Sequence, residues 1–238
     1  MDWSYLTGCQ AADNLIAGGA VMNYGSERFK MVFTGILSGL IIIMSFIPFL
    51  GFIPLGFMNA TIIQVPVVIG AIMLGPKRGA FLGLIFGLTS LWKNTTAPNI
   101  TSFVFSPFVP VPGVSDTMPM FFGRLAKCLF ICIFARVMIG VVAYYLHELI
   151  KNKTKISVHA NNMICGAAGA ITNTILVMGG IYFLYGEAYA GAKELSVGLL
   201  SKVIAGVILT QGVPEAIVSA VLVGAILGVL NRVSQQTE

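Results

Sequence analysis

The segment from Gly51 to Asn94 contains two apolar runs joined by a tight turn, Gly75-Pro76-Lys77-Arg78-Gly79. Before Lys93, the only charged residues of this segment lie in the turn, while uncharged polar side chains stand at the far ends of both runs. If both runs are helices, the turn brings these polar groups together on one side of a membrane and leaves the charges on the other. The pattern therefore predicts a membrane protein that binds a polar molecule at its uncharged end.

The composition of the whole chain supports a membrane-embedded class. Of its 238 residues, 57% are hydrophobic and 10% are charged, and the mean hydropathy is +0.90, whereas a soluble domain carries roughly a quarter charged residues. Several continuous apolar stretches approach the ~20 residues that a helix needs to cross a bilayer. Because β-barrel strands alternate in hydrophobicity instead, we predict an all-α, multi-pass protein of the prokaryotic plasma membrane.

Six transmembrane helices are expected. They are Met31–Ile47, Gly56–Leu74 with a kink at Pro66, Gly79–Trp92, Phe121–Ile150, Val158–Tyr185, and a last helix that opens at Gln211–Glu215 and ends near Arg232. An apolar segment at 197–209 is too short to count as a span. Residues 1–30 are predicted to form an N-terminal cytoplasmic extension, and residues 31–238 a six-helix transmembrane substrate-binding domain.

Basic residues cluster near four of the predicted helix ends. In membrane proteins such clusters mark cytoplasmic loops, so we expect no nucleic-acid partner. The clusters are Arg28/Lys30, Lys77/Arg78, Lys151/Lys153/Lys155 and Arg232. A bundle of six spans places all of them on the cytoplasmic side, with both termini cytoplasmic.

The uncharged polar residues fall on the outer side and predict a pocket for a small polar solute, covered by the irregular apolar loops 49–55 and 94–122. The candidate binding residues are Asn59, Gln64, Asn94, Arg136, Asn173 and Glu215. A charge at the depth of Arg136 is costly unless it faces a partner or a cavity. Either a ligand explains it, or a structural ion pair or helix-capping contact that holds the bundle together. The triplet 172–174, Thr-Asn-Thr, likewise needs polar partners from other helices or from a ligand.

Two sets of glycines are spaced four residues apart on predicted helices. Gly35 and Gly39 form a small-xxx-small pattern, which permits close approach of another helix, either from this chain or from a separate docked protein. The second set, in the third predicted helix, is expected to serve internal packing. It consists of Gly79, Gly83 and Gly87.

Several other classes of function lack their sequence signals. We find no nucleotide-binding loop, no metal-ligand spacing and no nucleophile with a nearby base, so no cofactor or metal is expected on this chain. A self-sufficient secondary transporter is the alternative, but it predicts internal inverted repeats, and none is evident. A membrane enzyme would require a carboxylate or histidine cluster within the spans.

Four stretches of the predicted helices carry a further pattern: TIIQVPVVIGAIMLGPKRGAFLGLIFGLTS, ARVMIGVVAYYL, TNTILVMGGIYFLYG and GVPEAIVSAVLVGAIL. They resemble the substrate-binding S components of energy-coupling-factor (ECF) vitamin importers, and among them the group that includes pantothenate transporters. The resemblance extends over residues 31–232.

This resemblance implies a six-helix protein that captures a water-soluble vitamin from outside, with pantothenate as the first choice. It also implies partners: a transmembrane coupling protein and two cytoplasmic ATPase subunits, which hydrolyse the ATP. The docking signature of the family is an Ala-xxx-Ala pair in the first helix, and Gly35 and Gly39 stand at the matching positions. Substrate contacts vary across the family, so the six candidate binding residues rest on their depth and polarity alone.

Overall fold

The computed structural model describes residues 27–47, 52–54, 59–99, 101–111, 118–193 and 197–236. Within these ranges the helices and strands are α1 Glu27–Phe46, β1 Phe52–Pro54, β2 Asn59–Thr61, α2 Gln64–Leu74, α3 Pro76–Thr96, α4 Met118–Leu129, α5 Ala135–Lys153, α6 Val158–Ala192, α7 Val197–Val207 and α8 Val213–Gln236. Two π-helical turns, Phe130–Phe134 and Ile208–Gly212, join α4 to α5 and α7 to α8. The described helices therefore form six rods.

Four of these rods are long and apolar enough to cross a membrane: Glu27–Phe46, Met118–Lys153, Val158–Ala192 and Leu199–Arg232. The predicted multi-pass helical protein is thus confirmed. Of the predicted N-terminal extension, residues 1–26 lie outside the described ranges. The rest of it already belongs to α1, which begins at Glu27 rather than at Met31.

The predicted all-α class is confirmed, and the chain also contains a short two-stranded antiparallel ribbon, in which Phe52 lies opposite Thr61. The predicted second helix, 56–74, is wrong in its first part, because α2 begins only at Gln64. Asn and Thr are poor residues for a helix interior, and in β2 they precede the apolar run. The structure also removes the reason to expect a kink at Pro66. This residue lies in the first turn of α2, where its missing N–H removes no intrahelical hydrogen bond.

The third helix is longer than predicted, since α3 spans 21 residues, or roughly 31 Å. It begins at Pro76, directly after Gly75, whose φ of 96° lies in the left-handed region that glycine tolerates best. The tight turn is therefore shorter than expected, and α3 is not the short helix that the sequence suggested.

The last two rods also differ from the prediction. The expected end of the fifth helix, Tyr185, is a kink (φ −133°, ψ 15°) inside α6, which continues to Ala192. The segment 197–209, predicted to be too short for a span, is the first part of the last rod. Proline cannot donate the backbone hydrogen bond that a helix makes at each position. The π-helical turn before Pro214 accommodates this missing bond, so the helix continues past Pro214.

The glycines of α3 do pack internally, as predicted. A β-carbon on Gly87 would lie 2.6 Å from the carbonyl oxygen of Cys132, and one on Gly83 would overlap the carbonyl oxygen of Arg136. Only glycine permits this approach, which brings the backbone of α3 against the start of α5. Phe86 and Arg136 consequently face each other across the contact.

The predicted cytoplasmic clusters lie at one end of the bundle, which we call the basic end. Glu27 accepts hydrogen bonds from Lys30 (3.1 Å) and Arg78 (2.7 Å), which ties the start of α1 to the start of α3. Lys151 and Asn231, from the last turns of α5 and α8, line one cavity together with residues of α1. All four clusters thus share one face of the bundle.

Candidate functional site

At the end of the bundle opposite the basic end, a cavity of about 230 Å³ lies where α1, β2, α3, α5 and α6 meet. Three of the six predicted binding residues line it: Asn94, Arg136 and Asn173. The cavity also receives residues that the sequence analysis did not single out: Ser45, Thr61, Phe86, Ser90, Lys93, Asn99 and Phe105. Phe86 lies in the middle of α3, Lys93 in its last turn, and Phe105 in the loop after it. The aromatic character of that loop was the available signal.

Arg136 is the central charge of this cavity. Its side chain is only 7% exposed, and its guanidinium carbon lies 5.5 Å from the ring centroid of Phe86 and 5.7 Å from that of Phe105. One Nη donates to the carbonyl of Ile131 in the π-helical turn (2.7 Å), and Nε has no partner among the described residues.

Of the structural alternatives for Arg136, the described residues show a contact with the helix backbone, the hydrogen bond to Ile131. They show no ion pair, since no carboxylate of a described residue lies within 4.0 Å of Arg136. The Glu215 carboxylate interacts with Arg136 only over a longer distance. The site therefore presents a largely buried cation, stacked between aromatic faces, that lacks an anionic neighbour at contact distance. A ligand carboxylate would supply one.

The polar triplet on α6 resolves into two structural threonines and one open amide. Thr172 donates to the carbonyl of Ala168 (2.7 Å), and Thr174 donates to that of Ala170 (3.1 Å). Asn173 lines the cavity, and its buried Oδ1 has no hydrogen-bond partner among the described residues. Of the three, Asn173 is the residue placed to accept a hydrogen bond from a ligand.

Asn94 is held by its own structural contacts. Its Nδ2 donates to the carbonyl of Ser90 (2.8 Å), and its Oδ1 accepts from Ser102 (2.9 Å), which begins a 3₁₀ turn in the loop after α3. Asn94 thus fixes this apolar loop beside the cavity, and one amide hydrogen is left for a ligand.

Glu215 and Gln64 do not line the cavity. Oε1 of Glu215 accepts a hydrogen bond from the backbone N–H of Thr61 (2.9 Å), so the residue ties β2 to the start of α8. Gln64 is fully buried, and neither amide atom has a partner within the described part of the chain. Such a group carries a desolvation cost. Asn59 belongs to β2 by its backbone, and its side chain lies outside what the structure describes.

A larger cavity, about 680 Å³, lies between the start of α4 and the kinked end of α6, and none of the six predicted residues lines it. Its two cations already have protein partners. Arg124 donates to the carbonyl of Pro107, and Lys127 donates to that of Leu184 (3.3 Å). We therefore take the smaller cavity, with its uncompensated arginine and open amide, as the candidate ligand site.

The glycine pair of α1 behaves differently from the glycines of α3. A β-carbon placed on Gly35 or Gly39 would have no described atom within 4 Å, and the neighbouring Val32 and Ile36 are about 60% exposed. Packing against the described part of the chain is therefore not the role of this pair. The surface formed by Val32, Gly35, Ile36 and Gly39 is called the α1 face below.

Nothing in the described ranges groups three or more His, Cys, Asp or Glu side chains in a way that could hold a metal ion. The cavity offers one guanidinium, one ammonium, amides and hydroxyls. This set suits a small organic anion that also carries hydroxyl or amide groups.

Comparison with known proteins identifies a matching family. The family model described as "ECF transporter, substrate-specific component" matches residues 29–227. The pantothenic acid transporter PanT of Lactococcus lactis subsp. cremoris is 33% identical over 172 residues, which cover 72% of this chain and 78% of that protein. The pantothenate transporter PanT of Leuconostoc mesenteroides subsp. mesenteroides is 43% identical over 84 residues, 33% of this chain and 41% of that protein.

Proposed function

Because the chain belongs to the substrate-specific components of ECF transporters, we propose that it captures pantothenate at the end of the bundle opposite the basic end and delivers it to the cytoplasm. The observation that carries the proposal is the buried Arg136, which has no carboxylate of a described residue in contact and lies in a cavity with open hydrogen-bonding groups. The two relatives named as pantothenate transporters support the choice of vitamin.

The chemistry of pantothenate fits the groups in this cavity. The vitamin carries one carboxylate, one amide and two hydroxyls on a short aliphatic skeleton. Arg136 would hold the carboxylate, Asn173 would accept from a hydroxyl or the amide N–H, and Phe86 with Phe105 would cover the aliphatic part. A cavity of about 230 Å³ is small for a ligand site, which typically measures roughly 300–1,000 Å³, so it favours a compact vitamin.

Delivery requires a partner, because a binding cavity alone supplies no energy. We propose that the α1 face docks on the transmembrane coupling protein of the transporter, and that two ATPase subunits of the complex hydrolyse ATP. Residues 31–238 would then form the substrate-binding domain and residues 1–30 a cytoplasmic extension. Both termini would lie in the cytoplasm, since the basic end carries the clusters that mark that side.

The test is binding by the purified chain, followed by transport. Thermal stability is measured against a panel of water-soluble vitamins, and the dissociation constant of each hit is measured by calorimetry. Pantothenate should raise the melting temperature, and pantothenate lacking its carboxylate (the alcohol) should not. Stabilisation by another vitamin with no effect of pantothenate would overturn the substrate.

The transport step separates the proposed role from that of a self-sufficient carrier. Liposomes that contain this chain alone should accumulate no vitamin, whereas liposomes that also hold the coupling protein and both ATPases should accumulate it only with ATP inside. Uptake by the chain alone would overturn the proposed partners and leave the binding site intact.

A further inference from the structure

A second cavity, of about 420 Å³, lies at the basic end, between the ends of α1, α2, α5, α6 and α8. It shares no lining residue with the candidate ligand site. Its volume falls in the range of small-molecule sites, roughly 300–1,000 Å³. The proposed function makes no use of this cavity.

One wall of the cavity is polar and carries an unmet hydrogen-bond acceptor. Asn162 lines it, is only 2% exposed, and its Oδ1 has no hydrogen-bond partner among the described residues. The neighbouring Asn161 is already engaged, because its Nδ2 donates to the carbonyl of His147 (3.2 Å). Asn162 also lies near the side chain of His147, which lines the same cavity. Because an amide oxygen can accept two hydrogen bonds, Oδ1 of Asn162 can also accept one from a bound molecule.

The same wall favours an anion. Lys151 lines it, and so does Val158, the first residue of the 35-residue helix α6, whose N-terminus carries partial positive charge. No carboxylate lines the cavity among the described residues. The acidic group near this wall is Glu148, 4.0 Å from His147, and it does not line the cavity. An anionic group is thus favoured beside Lys151.

The lining of the cavity also contains apolar residues, and part of the lining is open to the surface. Phe29, Ile72 and Leu230 are apolar lining residues, while the lining residues Lys151 and Val158 are exposed. A free inorganic anion would make no favourable contact with these apolar side chains. A lipid has both an anionic headgroup and apolar acyl chains, and basic cavities between helices on the cytoplasmic side of a membrane bind anionic headgroups.

We propose that this cavity binds the headgroup of an anionic phospholipid that carries hydroxyl groups, of the phosphatidylglycerol type. The phosphodiester lies between Lys151 and the N-terminus of α6. A headgroup hydroxyl donates to Oδ1 of Asn162, and the start of an acyl chain lies along Phe29 and Leu230.

Native mass spectrometry of the detergent-solubilised full chain tests the proposal, with phosphatidylglycerol, phosphatidylcholine and inorganic phosphate titrated separately. Phosphatidylglycerol should bind at lower concentration than phosphatidylcholine, and inorganic phosphate in excess should not displace it. In Lys151→Gln the apparent dissociation constant should rise about fivefold, the effect of one lysine at a membrane surface. Lys155→Gln removes the same charge from an exposed residue outside the cavity and should leave binding unchanged.

The hydroxyl contact has its own test. In Asn162→Leu, the preference for phosphatidylglycerol over phosphatidylmethanol, which has the same phosphodiester and no hydroxyl, should disappear. Equal losses in Lys151→Gln and Lys155→Gln would show charge attraction without a site and overturn the proposal. Displacement by inorganic phosphate would overturn the lipid as its occupant. Because Lys151 is exposed, Lys151→Gln should fold normally. It therefore tests the proposal even if Asn162→Leu does not fold.

Discussion

Replacement of Arg136 by methionine separates a ligand-binding arginine from a structural one. The two roles predict opposite effects on the protein without ligand. If Arg136 exists to bind a carboxylate, Arg136→Met removes that contact and also removes a charge buried without an anionic neighbour in contact. If Arg136 holds the bundle together, the same change removes a structural contact and lowers stability.

The structure sets the expected magnitudes. Truncation of one partner in a buried, hydrogen-bonded charge pair costs about 2–5 kcal/mol, so pantothenate should bind roughly 30- to 5,000-fold more weakly. The ligand-free protein loses the Ile131 hydrogen bond, about 1.5–3 kcal/mol, and two cation–π contacts, about 0.5–2 kcal/mol each. It regains the desolvation cost of the charge, several kcal/mol. The net change in stability is therefore expected to be small.

Calorimetric titration with pantothenate and thermal unfolding of the ligand-free protein measure the two quantities. Arg124→Met is the matched control, because Arg124 is equally buried at 8% exposure and bonds the carbonyl of Pro107 outside the ligand cavity. It should leave affinity within about twofold, because it removes the same charge outside the site. The reasoning is refuted if Arg136→Met clearly lowers the melting temperature while affinity stays unchanged.

Three further changes test the remaining roles. Gly35→Leu should leave pantothenate affinity unchanged yet abolish uptake by the full complex. Gly83→Leu, the control, should prevent folding, as judged by gel filtration. Loss of binding in Gly35→Leu would instead make the α1 face part of the fold. Asn173→Leu should weaken binding by about 1–3 kcal/mol, since it removes a buried hydrogen-bond acceptor, and unchanged affinity in calorimetry would remove this residue from the site. Glu215→Ala breaks the hydrogen bond to Thr61, which should speed vitamin release in stopped-flow measurements; an unchanged release rate would mean that β2 does not close the cavity.

The sequence predicted the membrane class and the arrangement of the basic clusters because both depend on composition along the chain. The sequence prediction failed at helix boundaries, which depend on a few local residues. The helix predicted to start at Gly56 begins at Gln64, since Asn59–Thr61 before it form β2, and short runs do not distinguish a strand from a helix by hydropathy alone. Pro214 suggested a helix start, but the π-helical turn before it lets one helix pass through.

The candidate site, like the helix boundaries, was predicted only in part. Depth and polarity selected Asn94, Arg136 and Asn173, which line the cavity, because polar groups within spans must face a cavity or a partner. The same criterion also selected Glu215, whose partner is the backbone of Thr61. Polarity along a sequence shows that a group needs a partner, but only the packed structure shows whether that partner belongs to the chain. Phe86 was missed for the converse reason, since an aromatic residue in an apolar helix carries no separate signal, whereas the aromatic character of the loop after α3 was a signal for Phe105.

The helix α1 connects the two proposed activities of the chain and keeps them apart. Ser45, near its end, lines the ligand cavity and lies 3.0 Å from the hydroxyl of Thr89 on α3, while Gly35 lies ten residues earlier, about 15 Å along the helix axis, on a side that no described residue covers. A bulky side chain on the α1 face therefore need not disturb the cavity. If docking is to release the vitamin, it must act by moving α1 as a whole, and the contact between Ser45 and Thr89 is where such a movement would reach the site.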